Sequence, residues 1–106
     1  MNKLSPLLKD FNTYHADSIQ LEPNMSAIFV VSCCVGDDKD ADCNAIFAGS
    51  TKDLKATLSQ NMANWRKQCN IDQHIKISVK RVEHLSKAKH DLLLANLQSV
   101  CKYDTQ

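Results

Sequence analysis

Residues 27–35 read AIFVVSCCV, and the reading of this stretch decides the fold. It is rich in β-branched residues, and both of its alternating sets are apolar. Ala27, Phe29, Val31, Cys33 and Val35 form one set, and Ile28, Val30 and Cys34 the other. A strand that is apolar on both faces belongs in the middle of a sheet. Downstream, GDDKDAD at 36–42 reads as a polar turn and CNAIFA at 43–48 as a second, shorter strand. The two strands are expected to pair as an antiparallel hairpin with a loose loop.

Working outward, Gly49-Ser50 ends the second strand, and Ser50 is expected to cap a helix with Asp53 as its capping-box partner. Leu54, Leu58, Met62, Trp65 and Cys69 then form an apolar stripe at helical spacing. HIKISVKRVEH at 74–84 alternates, with Ile75, Ile77 and Val79 opposite His74, Lys76, Ser78 and Lys80, as in a strand with one wet face. Ser86 opens a last helix, with Leu85, Ala88, Leu92, Ala95, Leu97, Val100 and Cys101 as its apolar side. At the other end, Ser5-Pro6 is a helix start signal, and Leu4, Leu7, Leu8, Phe11 and Tyr14 recur at helical spacing until about Asp17. Residues 18–26 read as a connector.

The order α-β-β-α-β-α predicts one α+β domain over residues 1–106, built on a three-stranded mixed sheet of order 2-1-3. The second and third helices would cover one face, and the first helix or a partner the other. With 106 residues, 43% hydrophobic and 24% charged, the chain is long enough for a core without metal or disulfide staples. Two glycines and two prolines argue against a glycine-rich phosphate loop or a turn-dense barrel. A net charge of +1 removes the case for bulk electrostatic attraction to nucleic acid or membrane. No apolar run approaches the roughly 18 residues of a spanning helix, so no membrane role is expected. The first ten residues lack the features of a secretory signal. Together with an odd count of five cysteines, this predicts free thiols in a reducing compartment, the cytoplasm.

Several constellations invite chemistry. Asp38, Asp40 and Asp42 occupy the first, third and fifth places of a calcium loop, but Cys43 stands where glycine is needed and Gly49 where glutamate is needed. A solvated turn is the better reading. Zinc-type spacing of cysteine and histidine is missing, and Cys33 and Cys34, as neighbours on a strand, point to opposite faces. No nucleophile elbow is present. Ser50 after Gly49 at a helix start could hold a small anion, although capping explains it as well. No catalytic residue, metal ligand or cofactor site is therefore assigned.

The charge layout does depart from average. Residues 1–65 hold five basic and eight acidic residues, whereas residues 66–90 hold seven basic residues against Asp72 and Glu83. If the 74–84 strand is a sheet edge, His74, Lys76 and Lys80 on its wet face, with Arg66, Lys67, Lys87 and Lys89 on adjoining helices, form a positive stripe. Lysines on an edge discourage aggregation without any ligand. The same residues also suit an anionic partner.

The resulting expectation is a small non-enzymatic protein–protein interaction protein, adaptor-like or inhibitor-like and homodimeric, with a basic face at 66–90. Self-association through leftover apolar surface, or edge pairing of the 43–48 strand, would complete its burial. One alternative is a nucleic-acid-binding accessory protein using the basic face. The other is a thiol-dependent enzyme or redox sensor using Cys43 or Cys69.

Overall fold

The structure, a computed structural model, describes residues 10–35, 42–83 and 85–100. The strands are β1 (Asn12–His15), β2 (Ala27–Val35), β3 (Asp42–Thr51) and β4 (His74–Arg81), and the helices are α1 (Leu54–Gln68) and α2 (Lys87–Val100). They form a four-stranded sheet of order β1-β4-β2-β3, antiparallel at every pairing.

The expected three-stranded mixed sheet with three helices is thereby corrected, because the described residues hold four strands and two helices. The stretch AIFVVSCCV does lie inside the sheet, between β4 and β3, and is buried from Ala27 to Cys34. The largest correction concerns residues 12–15, which read as helix from Phe11 and Tyr14. Their backbone instead pairs with β4, from Asn12↔Val79 to His15↔Lys76. That pairing gives the β4 backbone hydrogen-bond partners that a local helix could not supply. Residues 1–9 of the expected first helix lie outside the described residues. So do most of the acidic 36–42 turn, with Asp38 and Asp40, and Cys101.

Side-chain alternation on β2 separates two cores. Ala27, Phe29, Val31 and Cys33 pack with Ile75, Ile77 and Val79 of β4 beneath Leu54, Leu58 and Trp65 of α1. Ile19, Leu21 and Met25 of the connector close the same side. Ile28 and Val30 pack on the opposite side with Leu97, Leu93 and Leu94 of α2. The two helices thus cover opposite faces, not one face as expected. On α2 the buried stripe runs through Leu93, Leu94 and Leu97, and Leu92 is 65% exposed, so the expected face through Ala88, Leu92 and Ala95 is also corrected.

Three local devices shape β3. A bulge opposite Val31 and Ser32 inserts one extra residue, and Ile46 and Phe47, neighbours in sequence, both join the α1-side core. At Gly49 a Cβ would stand 2.7 Å from Phe47 Cε2, so only glycine lets the Phe47 ring lie along the strand. The strand then runs on to Thr51, and Asp53, not Ser50, caps α1 by accepting the Ala56 N–H at 3.2 Å.

The cysteines are also corrected. Cys33 is bonded to Cys69 at the end of α1, and Cys34 to Cys43 directly across the β2–β3 pair. Four of the five are therefore disulfides rather than free thiols, and the thiol argument for a reducing compartment falls with them.

Candidate functional site

β4 lies between β1 and β2, so among the described residues the sheet edges are β1 and β3, and the conditional placing of β4 at an edge does not hold. The two real edges are unlike. β1 is four residues long, and short edges pair poorly with other chains. β3 is ten residues long, and from Cys43 to Thr51 it carries no charged side chain and no proline.

The backbone of that edge can be read from the Cys34–Cys43 pair. Its Cα atoms are 4.1 Å apart, the narrow spacing of an antiparallel pair that does not exchange hydrogen bonds. By alternation along β2, the pairs Val30↔Ala48 and Ile28↔Ser50 are of the same kind. Ala48 and Ser50 therefore turn their N–H and C=O groups away from β2, toward the open side. One observed bond agrees, since the Gln98 amide donates to the Ala48 carbonyl at 3.3 Å.

Beside this edge, between β3 and α1, lies a cavity of about 240 Å³. Its floor is Phe29, Phe47 and Trp65, whose ring centroids are 5.6–6.0 Å apart. Its wall on α1 is Thr57, Asn61, Asn64 and Gln68, a polar stripe at successive helical turns. Thr51 and Thr57 join their hydroxyls at 2.7 Å, and Asn61 donates to the Thr57 carbonyl at 2.8 Å. Among the described residues, no side chain lining this cavity is charged.

A second arrangement joins β3 to α2. Ser50 Oγ lies 2.8 Å from His90 Nε2, and His90 Nδ1 lies 3.2 Å from Asp91 Oδ1. The other Asp91 oxygen, Oδ2, accepts from Lys87 Nζ at 3.0 Å. Lys87, and then His90, hold the Asp91 carboxyl below its ordinary value by hydrogen bonding to its charged form. Reading the sequence for local signatures missed this set, because Ser50 and His90 stand 40 residues apart and meet only through packing.

The residues expected to form one basic stripe are divided. His74, Lys76 and Lys80 share a face of β4 and are half-buried there. Register places Lys76 beside His15 of β1, and the His15 and His74 rings stack at 5.1 Å. Lys87 and Lys89 lie in the first turn of α2, which packs on the same side of the sheet. Arg66 and Lys67 lie at the end of α1, across the sheet, where Arg66 pairs with Asp17. Among the described residues no helix is long and apolar enough to cross a membrane.

No family model matches the chain, and no curated protein or solved structure is found similar to it.

Proposed function

We propose that the protein is a protein–protein interaction domain that works as a homodimer, with the β3 edges of two copies paired. The observation that carries this reading is the edge of β3 from Cys43 to Thr51, uncharged and proline-free, where Gln98 takes the Ala48 carbonyl and the Ser50 N–H and C=O are turned outward. Such an edge is a ready template for another strand, and native chains that leave one unprotected usually cover it. The partner argued for is a second copy, since residues 43–51 and the neutral α1 stripe beside them match a strand as uncharged as that stretch itself. Strand addition draws its affinity from main-chain hydrogen bonds and its specificity from neighbouring side-chain pockets. The aromatic-floored cavity is placed to supply the latter. Two disulfides support a working place where such bonds persist, rather than the reducing cytoplasm.

Sedimentation of the intact protein and two Ser50 variants tests the reading. Ser50→Pro removes an outward N–H without touching the β2 ladder, whereas Ser50→Ala keeps that N–H. Dimers are expected for the natural protein and for Ser50→Ala at tens of micromolar, and monomers for folded Ser50→Pro. A monomeric natural protein at that concentration overturns the reading.

A further inference from the structure

We propose that Ser50 is an activated nucleophile that accepts the acyl group of an ester, with His90 as its base and Asp91 as a positioning residue. This stands apart from the edge reading, because it uses the side chain of Ser50 on the α2 side of the sheet, not its backbone.

The roles follow from what each atom can donate. A carboxylate only accepts, so the proton between His90 Nδ1 and Asp91 Oδ1 sits on the ring nitrogen. In the neutral ring, Nε2 is then an acceptor, and at 2.8 Å it takes the hydrogen bond of the Ser50 hydroxyl. Nucleophile, base and orienting carboxylate thus stand in the order that defines a serine–histidine–aspartate relay, which is recognised by geometry rather than by sequence position. Lys87 bonds to Oδ2 and leaves Oδ1 for the ring, which fixes the carboxylate in place and keeps it charged. His90 is itself restrained, its side chain being 23% exposed, while Ser50 is exposed and open to a reactant.

The chemistry balances without a cofactor. The Ser50 oxygen forms a bond to the acyl carbon as the hydroxyl proton passes to His90 Nε2. The ester C–O bond then breaks, and the departing alkoxide takes that proton and leaves as an alcohol. Water then gives a proton to His90 Nε2 as its oxygen bonds to the acyl carbon. The bond from that carbon to Ser50 Oγ breaks, and the proton passes from His90 to Oγ, releasing the acid and restoring Ser50. The class of substrate is a carboxylic ester, whose acyl carbon the Ser50 oxygen attacks.

The test uses the intact oxidised protein and an alkyl fluorophosphonate, with the modified residue located by mass spectrometry. In this reaction the Ser50 oxygen bonds to phosphorus, fluoride leaves, and the hydroxyl proton goes to His90. Labelling at Ser50 is expected. It should be lost in Ser50→Ala and fall about a hundredfold or more in His90→Ala, the usual scale of a general base. His90→Gln serves the same purpose should the alanine variant unfold. Asp91→Asn should slow labelling and change its pH profile, which a purely structural role would leave unmoved. No incorporation, incorporation elsewhere, or an unchanged rate without His90 overturns the proposal. Dimerisation measured on the Ser50→Ala protein reports on the edge reading alone.

Discussion

At the scale of single residues, Gly49 and Asp91 give the sharpest expectations. A methyl group on residue 49 meets the Phe47 ring, which is itself held among Phe29 and Trp65. Gly49→Ala should therefore destabilise by about 1–3 kcal/mol, the usual range for forcing extra carbon into packed surroundings. Urea unfolding measures it, and trimming the ring with Phe47→Leu in the same chain should return part of the loss. Asp91 makes a statement about pH. Its carboxyl titrates below the ordinary value in the folded chain, first because of Lys87 and then His90. The stabilisation it contributes is therefore complete above the unfolded value of about 3.9 and is lost as pH falls through the lower folded one. Carboxyl-carbon NMR titration should place the Asp91 midpoint below that of an unpaired aspartate, and Lys87→Met should raise it. Neither residue announces its role in the sequence. Gly49 looks like a strand terminator until Phe47 is seen lying over it, and Asp91 is an ordinary helix-surface acid until His90 turns toward it.

The elements were legible where one local pattern dominates, and misread where two patterns compete. Residues 27–35 have no polar face at all, so an interior strand is the one arrangement that hides both apolar sets. The spacing of Leu54, Leu58 and Trp65 is likewise unambiguous, and all three are buried. Residues 11–14 differ because Phe11 and Tyr14 fit a helical stripe, while Thr13 and Tyr14 fit a strand equally well. Long-range pairing with β4 decides between them, and periodicity cannot see it. On α2, Leu92, Leu93 and Leu94 stand in a row and so define no face by themselves. The cysteines were hidden for a related reason. Cys33 and Cys34 behave as core residues of a strand, and nothing local shows that each meets a second sulfur on its own side of the sheet. Their bonds have unequal reach, spanning 36 and 9 residues. Chain-entropy arithmetic assigns about 4 kcal/mol to the longer link and about 2.5 kcal/mol to the shorter. Paired serine substitutions at Cys33 and Cys69 should accordingly lower the unfolding midpoint in denaturant more than those at Cys34 and Cys43.

For the whole molecule, the open edge was legible in the sequence, whereas the relay and the cavity, assembled from distant parts, were not. The order 2-1-3 already leaves the 43–48 strand outermost, as it is in the structure, while β1 closes the far side of β4 and makes β4 interior. The Ser50 relay needs α2 to cross β3 on the face opposite α1. The basic segment 66–90 shows the converse. It is contiguous in sequence, yet the fold sends its two ends to opposite sides of the sheet, because α1 and α2 cover different faces. The outer disulfide also has a mechanical meaning. The link from Cys33 to Cys69 turns all of β3 and α1 into a closed ring, with the smaller Cys34–Cys43 ring nested inside it. Tension on the two chain ends passes through the sulfur bridge and around this ring. β1 and α2 can be peeled away under load, while the segment that carries the open edge stays closed and slack.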